Sequence, residues 1–109
     1  MTLKRKYRLT ARIKKTFSRS FHSPLFALRI GENGLLYNRY GVVVSKKIDK
    51  RAVIRNSIKR MVRLCIQEID NNLKKGYDML FIVKKNILTQ QADVCQNARE
   101  MMQKEKLLP

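Results

Sequence analysis

Residues 39–63 read RYGVVVSKKIDKRAVIRNSIKRMVR, and the hydrophobic period changes inside them. Up to residue 47 the side chains obey a period of two, with Val42, Val44 and Lys46 on one face and Val43, Ser45 and Lys47 on the other. β-branched residues fill this run, as a strand requires. From Ala52 onward Ile54, Ile58, Met61, Val62, Cys65, Ile69 and Leu73 recur at steps of three and four. At about 100° per residue they make one apolar stripe, which predicts a helix over 52–74, with Gly76 as its stop signal. A strand therefore runs directly into an amphipathic helix.

The other side of that helix is cationic. Arg55, Lys59 and Arg63 follow one another at i, i+4, with Asn56 and Arg60 beyond them. Like charges at this spacing repel. Nine basic residues lie between 39 and 63 against the single acid Asp49, so the compensating charge has to come from outside the chain. Solvated helix faces usually mix signs; this one does not.

The rest of the chain continues the pattern. Residues 1–19 hold eight basic residues and no acid, with Leu9, Ile13 and Phe17 four apart: a basic arm over 1–8, then a short helix with a narrow apolar seam. PLFALRI (24–30) alternates Phe26, Leu28 and Ile30 with Ala27 and Arg29, predicting a strand, and GENG (31–34) a turn. YDMLFIVKK (77–85) suits a central strand covered on both faces. Residues 89–107 set Ala92, Cys95, Ala98, Arg99 and Met102 at helical spacing. The predicted order is α-β-β-(β)-α-β-α, the bracketed strand falling in 31–40. This is an α+β fold, a two-layer sandwich of one sheet with helices packed against it, forming a single domain over 1–109.

Composition narrows the function. With 25 Lys plus Arg against eight Asp plus Glu the formal charge is +17, and a polyanion is the expected partner. A self-sufficient hydrolase needs converging acid/base groups or metal ligands. The eight carboxylates are scattered, and His22 is the only histidine, expected in a loop as a surface residue or phosphate contact. No catalytic or metal-binding residue is assigned. Cys65 and Cys95 each sit in an apolar helical pattern without a C-x-x-C neighbour, and are expected as two reduced, buried thiols. No apolar run is long enough for a membrane span or secretory signal, so the protein is expected in the cytoplasm.

The stretch SKKIDKRAVIRNSIKRMVR (45–63) resembles the signature of the bacterial ribonuclease P protein component: a strand ending in Ser-Lys-Lys, a turn, then a helix carrying R-N-x-x-K-R-x-x-R. The matching residues are Ser45, Lys46, Lys47, Arg51, Ala52, Arg55, Asn56, Ile58, Lys59, Arg60 and Arg63. The resemblance implies a protein that assists a catalytic RNA in removing the 5′ leader from precursor tRNA. Lys46, Arg51, Arg55, Asn56, Lys59, Arg60 and Arg63 would bind the RNA subunit. A cleft between the first helix and the sheet, lined by Ile13, Phe17, Ala27, Arg29, Val43, Ser45 and Lys47, would take the single-stranded leader. Mg2+ would be needed by the holoenzyme and held mainly by RNA, none being required by the isolated protein. The family also implies a left-handed β-α-β crossover, against the usual hand.

Three departures from the family pattern bear on this. Ser57 stands where many relatives have arginine, which takes away one phosphate contact of the helix; Ile13 and Arg29 stand where relatives often have aromatics, so leader binding here leans on charge more than on stacking. The tail KEKLLP is short and lacks the basic extension of some relatives. A structural RNA-binding protein of ribosomal type shares the charge and size. What separates it is the paired Ser-Lys-Lys strand end and R-N-x-x-K-R helix.

Overall fold

A computed structural model describes residues 17–88 and 93–105. Four strands form one mixed sheet: β1 (Arg19–His22), β2 (Phe26–Glu32), β3 (Arg39–Val43) and β4 (Tyr77–Val83). Two helices accompany it, α1 (Ala52–Ile69) and α2 (Val94–Lys104). The spatial order is β1-β2-β4-β3, with β3 parallel to β4 and the other pairs antiparallel. The run 77–85 supplies the central strand as Tyr77–Val83, with the described helices on one of its faces where cover on both was expected, and 39–63 supplies the predicted strand-to-helix passage.

Alternation decides which face is which. Phe26, Leu28 and Ile30 of β2 are fully buried, as are Met79 and Phe81 of β4, with Tyr40 and Val42 of β3 beside them. Ile58, Val62, Cys65, Ile66 and Ile69 of α1, and Val94, Ala98, Met101 and Met102 of α2, close the core from that side. Phe26 and Phe81 meet edge to face, centroids 5.9 Å apart, an arrangement worth about 0.5–1.5 kcal/mol beyond burial. Both described helices thus cover one face. The opposite face carries Ala27, Arg29, Gly41, Val43, Leu80 and Ile82, all half-buried or exposed.

Several sequence expectations shift. The extra strand is β1, before β2, and not in 31–40; those residues end β2, form the loop 33–38 and begin β3. Gly31 and Glu32 still pair with Asp78 and Tyr77, so the GENG turn starts two residues late. The loop is held by Asn33, which accepts from the Leu35 N–H at 2.8 Å and donates to the Tyr37 carbonyl at 3.2 Å. Helix α1 ends at Ile69, and a short 3-10 turn, Asp70–Asn72, delivers Leu73 to the core. Gly76 instead adopts φ +95° at the entrance to β4, where an added Cβ would stand 3.3 Å from the Leu35 carbonyl. The seam Leu9–Ile13 and the arm lie outside the described residues; Phe17 is half-buried.

Cys65 and Cys95 are not separate thiols: a disulfide joins them, Cα atoms 5.0 Å apart, and ties α2 to α1. Each helix hides its cysteine in its own apolar stripe, so the pairing depends on how α2 lies on α1, which neither periodicity encodes. Among the described residues, no helix is long and apolar enough to cross a membrane.

Candidate nucleic-acid interface

The turn between β3 and α1 carries most of the local charge. The strand alternation stops at Val44, and the Ile48 N–H donates to the Ser45 carbonyl at 3.0 Å. Lys46 and Lys47 are therefore exposed on a turn, whereas the period of two had put Lys47 on the strand face with Val43. Asp49 then closes the approach to α1. Its Oδ1 accepts the Arg51 N–H at 2.9 Å, an Asx-type turn, and its two oxygens accept Arg51 Nε at 3.0 Å and Nη2 at 2.9 Å. The Arg51 fork, followed by the Arg51 N–H, pulls the Asp49 carboxyl down to about 2. Arg51 itself is held above its ordinary value by the same hydrogen bond.

Along α1 the cationic residues split by height. Asn56 and Arg60 are exposed; Arg55, Lys59 and Arg63 are half-buried beside the apolar stripe. Arg55 reaches back across the helix start, Nη1 donating to the carbonyls of Asp49 at 3.1 Å and Lys50 at 2.8 Å. Val53, 78% exposed, and Ser57 lie on the outer side of the same helix. The structure so brings Lys46, Arg51, Arg55, Asn56, Lys59, Arg60 and Arg63 onto one turn and one helix.

The second set lies on the sheet face away from the helices. Register puts Ala27 opposite Ile82 and Ile82 opposite Val43, with Arg29, Leu80 and Gly41 in the next row. Ala27, Arg29 and Val43 share that face as the alternation predicts, and Ser45 follows Val43 off the strand. Ile13 lies outside the described residues. Sequence reasoning missed Leu80 and Ile82, which form the middle of this surface. It also missed Lys84 and Lys85. β3 and β4 run parallel, so their Lys-Lys ends emerge at the same edge of the sheet. The signal was present in the matching endings VVSKK and FIVKK. Lys84 is partly committed, its Nζ donating to the Ser23 carbonyl at 2.8 Å; Lys85 is exposed.

The remaining candidates are structural, apart from His22, which borders the second set. His22 is not in a loop: it is the exposed last residue of β1, opposite Ala27. Among the described residues, no three His, Cys, Asp or Glu side chains converge into a donor set for a metal ion. Buried Asp78 and Asn38 serve the sheet: Asn38 donates to the Lys74 carbonyl at 2.7 Å and accepts the Tyr77 N–H at 2.9 Å. Tyr40 donates to Asp70, and burial, then that bond, raises its phenol well above the ordinary range.

What this geometry offers is a cationic turn and helix face, and a mostly apolar sheet surface with a cationic rim. The first suits phosphates, the second a single strand. Comparison with known proteins identifies the family. A family model described as Ribonuclease P matches residues 3–106. The ribonuclease P protein component of Clostridium botulinum is 42% identical over 69 residues, 62% of this chain and 61% of its own length. That of a Synechocystis species is 36% identical over 62 residues, 57% of this chain and 50% of its own. The matched stretch thus spans less than two thirds of these curated relatives. Among solved structures, the RNase P protein of Thermotoga maritima, in complex with 1-(4-fluorophenyl)-2-thiourea, is 30% identical with a TM-score of 0.65, covering 79% of this chain and 80% of that one. A Staphylococcus aureus RNase P protein mutant shares the fold at a TM-score of 0.81 and 23% identity, over 94% of this chain and 91% of that one. With its family model spanning nearly all of the sequence, this chain belongs to the bacterial ribonuclease P protein family.

Proposed function

We propose that the protein is the RNA-binding subunit of a ribonuclease P, assisting a catalytic RNA in endonucleolytic removal of the 5′ leader from precursor tRNA. The observation that carries this is the concentration of cations on the turn before α1 and along one side of that helix, within a member of this family. Lys46, Asn56, Lys59, Arg60 and Arg63 face the RNA subunit. Each phosphate neutralised releases condensed counterions, so binding is steeply salt-dependent. The like-charge repulsion along R-N-x-x-K-R-x-x-R is relieved when RNA phosphate arrives.

The leader, in this reading, lies on the sheet face of Ala27, Val43, Leu80 and Ile82, and also contacts Phe17 and Ile13. Arg29, Ser45, Lys47 and Lys85 contact its backbone. Half-buried aliphatic side chains give bases an apolar surface without selecting among them. In this reading Mg2+ would supply metal-ion chemistry in the holoenzyme and would be held mainly by RNA. The protein works in the cytoplasm, where precursor tRNA is made.

The test is cleavage of 5′-labelled precursor tRNA at low magnesium by a bacterial ribonuclease P RNA alone, this protein alone, and both together. Cleavage at the mature 5′ end in the mixture, and not with the protein alone, is expected. A folded protein that neither binds nor stimulates that RNA would overturn the proposal.

A further inference from the structure

The first arginine of the helix motif is turned toward its own chain. Arg55 is half-buried, and both hydrogens of Nη1 go to main-chain carbonyls: Asp49 O at 3.1 Å and Lys50 O at 2.8 Å. Those two carbonyls precede α1 and have no partner within the helix. The Arg51 carbonyl, next in line, already accepts from Ile54 and Arg55 N–H, both at 3.1 Å. One side chain on the first turns of α1 therefore ties down the segment that leads into it.

That segment needs a tie. Between β3 and α1 stand Lys46, Lys47, Lys50 and Arg51 with Asp49 as the single acid. Repulsion among them favours an open, splayed loop. Two devices oppose this. Asp49 takes Arg51 by both oxygens and by its N–H. Arg55 adds a fifth positive charge yet stabilises, because it meets carbonyl dipoles and not cations; hydrogen bonds from an ionised donor are roughly twice as strong as neutral ones. A lysine rigidly presented loses less freedom on meeting a phosphate than one on a loose loop.

From this geometry, and resting on the function proposed above, we propose that Arg55 is a positioning residue for RNA binding: it clamps the 46–51 turn so that Lys46 and Lys50 meet phosphate of the RNA subunit as a preset group, and it neutralises no phosphate itself. The division of labour within the motif follows. Arg60, exposed on the same helix, is a contact; Arg55 is the scaffold of other contacts. When Arg55 is lost the lysines still reach phosphate in the complex, but only after the turn has been ordered. Affinity falls, while the number of counterions released stays the same.

The experiment compares wild type, R55A and R60A in two measurements. Affinity for a bacterial ribonuclease P RNA transcript is followed across a salt series. Amide hydrogen exchange over 46–51 is followed in the RNA-free protein. For R55A an affinity loss of about 5- to 30-fold at every salt is expected, with an unchanged slope of log K against log salt. Exchange over 46–51 should accelerate while that of the α1 core stays as in wild type. For R60A the slope should drop by about 0.9 with exchange unaltered. R55M, which keeps the aliphatic stem against the helix, repeats the measurement if R55A unfolds. A slope that falls by about one unit in R55A or R55M would make Arg55 a phosphate contact and overturn the proposal. So would unchanged exchange over 46–51. Failure of wild type to bind the transcript would overturn the proposed function instead, and the exchange measurement would still decide whether Arg55 clamps the turn.

Discussion

Arg39 grips Asp78 with two parallel hydrogen bonds, Nε to Oδ1 at 2.8 Å and Nη2 to Oδ2 at 2.7 Å, across the parallel pair of strands β3 and β4. Asp78 is fully buried in the central strand, and Asn33 Nδ2 donates to the same Oδ1 at 3.0 Å. The pair fixes the start of the parallel register that also sets the end where the lysines emerge.

Removing one partner of such a pair leaves a charge in the interior, which costs about 3–5 kcal/mol. R39M is therefore expected to destabilise the protein by about that much in urea unfolding. Replacing both residues with apolar ones, R39M/D78L, should recover most of the loss, because the buried charge is gone. A double variant as unstable as R39M would mean the pair acts through packing and not through charge.

The Cys65–Cys95 bridge closes a loop across 30 positions, which includes the whole of β4. Loop-closure arguments put its effect at about 3–4 kcal/mol. The urea midpoint of the oxidised protein should fall when a reductant is added, and C95A should show the lower midpoint with or without it. Disulfides are rare in reducing cytoplasm, so if the protein works there, as proposed, alkylation of the freshly released protein should find both thiols free and the bridge formed after exposure to an oxidant. A midpoint indifferent to reductant, with two titratable thiols throughout, would refute the bridge.

The parts of this molecule that were legible beforehand are those in which one periodicity speaks for a whole element. Val42, Val44 and Ile58, Val62, Cys65 announce strand and helix because each run has a single buried side. β1 could not be read this way. As an edge strand it exposes Arg19, Ser20 and His22 and half-buries only Phe21, leaving no alternation in RSFH. The cysteine pairing and the middle of the sheet surface were illegible for another reason: they depend on which element lies beside which. Leu80 and Ile82 looked like core in a central strand, and only the placement of both described helices on the other face sets them apart. Arg55 sits at the border between the apolar stripe and the cationic side. A helical wheel gives its direction but not the carbonyls within its reach.

Asp49 provides a check on the turn that needs no RNA. Its carboxyl lies at about 2 in the folded protein against an ordinary 3.8, so it is the charged form that the Arg51 fork favours. A lowered value means that its contribution is fully present above the ordinary pKa and is lost as pH falls from about 3.8 through about 2. Carboxyl-carbon NMR should show Asp49 titrating near 2, and R51A should return it toward 3.8. Titration of the unaltered protein near 3.8 would mean that the fork does not persist in solution.

The proposed leader surface makes a demand that the cationic side of α1 does not. Arg29 is exposed, and its row contains Leu80 and Gly41, so it is a rim cation on an otherwise apolar patch. If the leader crosses that patch, reversing this charge should weaken binding of precursor tRNA and leave mature tRNA, which has no leader, nearly unchanged. With the catalytic RNA present, R29E is expected to lower the preference for precursor over mature tRNA by up to about tenfold. The salt slope for precursor should fall by about 0.7, the increment for one single-strand phosphate. Because Arg29 lies on the solvent side of β2, its replacement should leave the urea midpoint close to that of wild type. Equal losses for both tRNAs would move Arg29 out of the leader path. The single strand would then have to run along the lysine edge formed by Lys46, Lys47 and Lys85.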